Sequence, residues 1–172
     1  MKRLGPIIVT AALAGACGSS TLNQPPPAST VTFQLHNDGI STVYLFESCQ
    51  IDFTITSLAD PVRQIARVGA CACECGQSSC GVCGPCFEGP RDVAVGSMVT
   101  EYWSTVDVTI QPTASGSCER RTALPPGAYR IDVPVYPTVA DATAKMLART
   151  ASQSFTLPAS GDVVDVALGL SP

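Results

Sequence analysis

Histidine, tryptophan and charge are all scarce in this chain, and each scarcity excludes something. There is one histidine, His36, and one tryptophan, Trp103, in 172 residues. Any Ser-His-Asp or Cys-His unit, and any imidazole-ligated metal site, would have to be built around His36. Charged residues make up 14% of the chain, and Lys plus Arg total 10 against 14 acidic residues. That leaves no basic surplus to hold nucleic-acid phosphates and no block of like charge. No apolar run reaches the ~20 residues that a membrane-spanning helix requires. The G-x-S-x-G, P-loop, H-E-x-x-H and EF-hand signatures are absent as well. No catalytic residue is therefore assigned, and the chain reads as a non-enzyme. Asp162 with Asp165, and Glu101 beside Trp103, are better explained as carboxylates on a solvated face than as acid/base pairs.

Length and composition bound the fold. A single domain commonly runs to about 150 residues. The chain, at 172 residues, therefore makes one domain. An apolar fraction of 45% excludes a disordered chain, and 14 Gly with 14 Pro argue against a helical bundle. Cysteine is abundant, at nine, and the odd number needs an explanation in an exported protein.

The N-terminus supplies that explanation. Lys2 and Arg3 precede residues 4–16, which carry no charge and end in small side chains, the pattern of a signal peptide. Leu13-Ala14-Gly15-Ala16-Cys17 resembles the lipobox of bacterial lipoproteins. The resemblance implies cleavage before Cys17 and acylation of its thiol, and Gly18 in place of the inner-membrane Asp signal implies the outer membrane. Leu13 stands one residue further from the cysteine than in the family, and Ala14-Gly15-Ala16 is also a site for ordinary signal peptidase. The alternative is therefore a secreted or periplasmic soluble protein. Loss of residues 1–16 leaves 8 basic residues against 14 acidic, a net of −6. The expected partners are the membrane, through the lipid, and an envelope protein or glycan, with no nucleic acid. Residues 17–29, with three successive prolines, form a lipidated N-terminus and flexible tether.

From residue 30 to 172 the pattern is that of strands. Val31, Phe33 and Leu35 alternate with polar residues, which turns His36 towards solvent, and Asn37-Asp38-Gly39 has hairpin-turn chemistry. Cys49, Ile51, Phe53 and Ile55 alternate on one inner face. Further strands are expected at 93–95, 98–103, 106–110, 129–135, 154–157 and 164–168. Pro134 marks an edge strand or a bulge. Tyr102 and Trp103 point to opposite faces, and only residues 142–149 suit a helical turn or two. The expectation is an all-β fold, a single antiparallel β-sandwich with a cysteine-rich insertion at 71–90. Leu124-Pro125-Pro126-Gly127-Ala128-Tyr129 resembles the L-P-x-G-x-Y strand start of immunoglobulin-like and transthyretin-like bacterial sandwiches, which implies a tyrosine closing a corner between sheets.

With Cys17 acylated, eight cysteines remain. Cys71, Cys73, Cys75, Cys80, Cys83 and Cys86 cluster, while Cys49 and Cys118 lie outside. An oxidising compartment favours four disulfides, with Cys49 expected to pair with Cys118. No cofactor is expected on this reading. An alternative is a metal-binding lipoprotein, because the six clustered cysteines resemble metallothionein spacing and a zinc knuckle, and thiolates suit Zn or Cu. A third reading is a thiol oxidoreductase, since Cys83-Gly84-Pro85-Cys86 matches the thioredoxin active site, though no strand pattern precedes it and no helix pattern follows.

Overall fold

The strand-period segments of the sequence fold as strands because alternation lets each bury one row of apolar side chains. A computed structural model describes residues 29–69, 72–77, 84–114, 116–146, 148–158 and 163–169. The expected leader, Cys17 and tether residues 18–28 lie outside these, as do Cys71, Cys80, Cys83 and Asp162. In chain order the elements are β1 (Thr30–His36), β2 (Val43–Ser48), β3 (Thr54–Ser57), β4 (Asp60–Ile65), β5 (Glu88–Val93), β6 (Met98–Ser104), β7 (Val106–Thr113), β8 (Gly116–Ala123), β9 (Gly127–Val135), α1 (Val139–Ala144), β10 (Arg149–Leu157) and β11 (Val163–Ala167). The protein is mostly β. Its strands form a three-stranded sheet β11-β1-β6, a four-stranded sheet β10-β9-β3-β4, and the pairs β2-β5 and β7-β8.

One buried cluster draws on the first three of these sheets. Val31, Phe33 and Leu35 of β1 have no exposed surface, nor do Ile131 and Val133 of β9 or Leu45 of β2. Each such side chain stabilises the fold by about 1.5–3 kcal/mol relative to exposure. The Phe33 ring lies 5.5 Å from that of Phe53, 6.2 Å from Trp103 and 5.5 Å from Phe155. Since Phe155 is on β10, the three- and four-stranded sheets share this core. Tyr129 closes it from β9, its ring stacked 6.1 Å from Phe155 and its hydroxyl donating to the Pro125 carbonyl at 2.8 Å. Burial pushes the Tyr129 hydroxyl pKa up.

Several local expectations are corrected. Asn37-Asp38-Gly39 is not a hairpin turn, because β1 and β2 belong to different sheets. Asn37 is buried instead, and its amide donates to Val93 O at 2.7 Å and Ser41 O at 2.9 Å, which holds a loop crossing between sheets. Pairing is not wholly antiparallel either, since β1 and β11 run parallel. These strands sit at opposite ends of the described chain, so no tight turn constrains their relative direction. Pro134 lies in an interior strand. Its missing N–H falls on the side where Tyr136 pairs with Tyr44, past the Thr54–Asp132 pair, where β3 has not yet begun. The helix is α1 rather than 142–149, because the Thr138 hydroxyl accepts from Asp141 N at 3.1 Å and starts it early. Lys145, with φ of 52°, ends it. The alternating pair resolves cleanly, with Trp103 2% exposed and Tyr102 66%.

Candidate functional site

The cysteine-rich insertion leaves the four-stranded sheet after β4 and rejoins the frame at β5, and it is fastened at both ends. Cys86 is bonded to Cys49 and Cys75 to Cys118, with Cα separations of 4.9 and 5.0 Å. Cys73 is disulfide-bonded as well. The expected Cys49–Cys118 pair is thus wrong, and strand register shows why. β2 and β5 pair with Ser48 opposite Glu88, and Cys49 N donates to Phe87 O at 3.1 Å, which brings Cys49 beside Cys86. Nor does Cys49 lie on an inner strand face. It is exposed, with φ of 63°, in a tight turn where Ser48 N donates to Gln50 O at 2.9 Å. Inward alternation begins only at Ile51.

At the other foot, the main chain of the insertion joins the edge of β8. Glu119 N donates to Cys73 O at 2.7 Å, and Cys75 N donates to Glu119 O at 2.9 Å, a short parallel bridge. The Glu119 side chain is buried and anchors the incoming strand. One carboxylate oxygen accepts from Gly69 N at 2.8 Å, and the other pairs with Arg121 at 3.3 Å, which also reaches Glu74 at 3.5 Å. A Cβ at Gly69 would meet Glu119 Oε1 at 3.2 Å and Ala72 Cβ at 3.3 Å, so glycine permits this close approach. On the neighbouring strand of the ribbon, Asp107 pairs with Arg63 and accepts from Ala66 N at 3.2 Å. Glu119 is invisible to sequence reasoning, because an acid beside a cysteine in a polar strand carries no periodic signal.

Beside the root of the insertion lies a small cavity of about 100 Å³. Gln50 and Phe53 line it from the β2–β3 link, Arg67 and Val68 from the root of the insertion, and Tyr102, Trp103 and Ser104 from β6. The Arg67 guanidinium lies 3.9 Å over the Phe53 ring and donates to Ile51 O at 2.9 Å. Burial lowers its pKa, against the opposing pull of Asp52 and Glu101. Glu101 is pushed above the usual carboxylate value, mainly by burial, while the Ile51 N–H at 3.4 Å and Arg67 favour its charged form and Glu47 disfavours it. The indole N–H of Trp103 is buried and has no hydrogen-bond partner among the described residues.

The other sequence candidates fall elsewhere. His36 is partly exposed at the end of β1 and contacts Asp165 of β11 at 3.0 Å. Asp165 is therefore partnered with the histidine. Glu101 belongs to the charged surroundings of Arg67. Of the six clustered cysteines, Cys73, Cys75 and Cys86 are oxidised here, so none of the three is a thiolate able to take Zn or Cu in this state. Cys86 is bonded to Cys49 rather than to Cys83. Among the described residues no group of His, Cys, Asp and Glu is arranged to hold a metal. No described helix is long and apolar enough to cross a membrane. Comparison with protein-family models, with curated proteins and with solved structures gives no match to this chain.

Proposed function

We propose that this chain is an outer-membrane lipoprotein whose single β-sandwich, of the immunoglobulin-like or transthyretin-like kind, acts as a non-enzymatic binding or structural module of the cell envelope. The disulfide fastening carries the reading: Cys49–Cys86 and Cys75–Cys118 tie a long insertion to the frame at both ends. Such bridges persist in oxidising compartments, in keeping with the leader-like residues 1–16 and the lipobox-like Cys17. Two bridges restrict the tied ends of the insertion, which lowers the entropic cost of binding a partner there. The hydroxyl of Tyr129, donating to a carbonyl four residues upstream, has the form of a sandwich tyrosine corner and supports the fold type.

Intact mass of the mature protein, purified from membranes in non-denaturing buffer without reductant, tests this directly. The expected spectrum shows cleavage before Cys17, an added diacylglycerol with acyl chains, and loss of one hydrogen at each of the other eight cysteines. An unmodified Cys17 overturns the anchor. Bound Zn or Cu, with the thiol protons regained when acid strips the metal, overturns the disulfide reading in favour of metal.

A further inference from the structure

The two edges of the four-stranded sheet are built differently. At the β4 edge, Asp60, Pro61 and Arg63 interrupt a short strand, and the register with β3 shifts between Thr56 and Ser57. Charge, proline and a bulge are the means by which natural edges avoid pairing with another chain. β10 has none of them beyond its first residue. Its nine residues pair with β9 in unbroken register, contain no proline, and carry charge only at Arg149. The direction of its main-chain groups follows from the neighbouring strands. Leu58 N donates to Ala128 O in continuation of the β3–β9 register, which turns the main-chain groups of Ala128, Arg130 and Asp132 towards β3. The odd-numbered residues of β9 therefore bond the odd-numbered residues of β10. That leaves the N–H and C=O groups of Thr150, Ser152, Ser154 and Thr156 aimed outward, where among the described residues the sheet ends. On that side Ser154 O accepts from the Gln153 side chain at 3.0 Å. Open grooves flank the edge, one lined by Ser154, Thr156 and Asp165 and the other by Thr150, Ser152 and Ala167.

We propose that β10 is a dimerisation edge, to which a second copy of this chain adds its own β10, antiparallel, about a two-fold axis at Gln153. The self-complementarity of the strand selects this occupant. In that register every outward residue enters a hydrogen-bonded pair, Thr150 with Thr156 and Ser152 with Ser154, and symmetry repeats both pairs, for about eight main-chain bonds. Hydroxyl side chains face hydroxyl side chains on one surface, and Ala151 faces Phe155 on the other. No like charges meet. Arg149 of the second copy stands opposite Leu157, at the end of the groove that Asp165 lines, so opposite charges approach at both ends of the contact. The edge is formed by described strands whether or not Cys17 carries lipid, so the dimer is independent of the lipoprotein reading.

The test uses the full mature chain, with disulfides intact, in an excess of density-matched detergent. Sedimentation equilibrium is expected to show a mass rising from one chain to two with a Kd on the order of 100 µM, as suits a contact smaller than a standard interface. In the paired sample the amides of Thr150, Ser152, Ser154 and Thr156 exchange with deuterium about tenfold more slowly than in a dilute one, as followed by NMR. Gln153 is exposed and lies on the proposed axis. Gln153→Lys and Gln153→Glu therefore each set like charges against one another without touching the core, and each alone weakens the dimer about fivefold. An equimolar mixture of the two recovers the wild-type affinity. The proposal is overturned by a chain that stays monomeric at about 1 mM, by a dimer that both variants keep at full strength, or by a mixture that recovers nothing. Slow exchange of the four amides in a sample that stays monomeric overturns it too, and assigns the edge to a segment of the same chain.

Discussion

Removing the Cys75–Cys118 bridge by the double change Cys75→Ser and Cys118→Ser isolates what holds the insertion to the ribbon. The bridge spans 43 residues of sequence. Loop-closure entropy for that span corresponds to about 4 kcal/mol at 25 °C, gained by restricting the unfolded chain. The main-chain bonds between Cys73, Cys75 and Glu119 stay in place in the variant, so its native state changes little. A loss of about 4 kcal/mol corresponds to roughly 10 °C in melting temperature for a domain of this size. The assay is equilibrium unfolding in guanidinium followed by the emission of Trp103, which is 2% exposed and surrounded by Phe33 and Phe155. Two signatures are expected together: a lower midpoint, and a steeper dependence on denaturant because the freed unfolded chain exposes more surface. Glu119→Ala serves as the contrast. It leaves Gly69 N–H without its side-chain acceptor and Arg121 with Glu74 as its remaining acid partner in the native state. That costs about 1–3 kcal/mol and leaves the slope unchanged. A double serine variant that keeps the wild-type stability to within about 0.5 kcal/mol refutes the entropic account. So does an equal change of slope in both variants.

Two further outcomes are expected. Tyr129→Phe removes one hydroxyl, the donor to Pro125 O. It should lower stability by about 1 kcal/mol in the same denaturation experiment, with an unchanged midpoint counting against the corner bond. Glu101 binds its proton more tightly folded than unfolded because burial raises its pKa above the ordinary 4.5. Stability from this group therefore falls as pH rises from the unfolded value through the folded one, and Glu101→Gln should flatten that part of a melting-temperature profile. A profile of wild-type shape in the variant would remove Glu101 as its source.

Much of the frame was legible because alternation is a local signal. Val31, Phe33 and Leu35, then Ile51, Phe53 and Ile55, and Tyr129, Ile131, Val133 and Val135 all face the core as their period of two requires. The corner tyrosine was legible for the same reason, since its partner lies four residues away. The site was not. Glu119 and Gly69 stand 50 residues apart, so nothing near either partner in sequence marks the contact. Arg67 and Glu101 likewise come from separate parts of the chain, the root of the insertion and β6. The cysteine pairing failed on the same ground, because dividing cysteines into a cluster and two outsiders ignores which strands lie side by side.

By itself the sequence determined that this is a β-rich chain with an acidic balance. Those properties follow from composition and from a side-chain period that each strand carries within itself. Only the tertiary structure decided that Asn37 bridges sheets instead of turning a hairpin, that β1 and β11 run parallel, and that Cys49 meets Cys86 while Cys118 meets Cys75. Register and sheet order depend on contacts between residues far apart in the chain, and their free energy is realised only when the strands have packed.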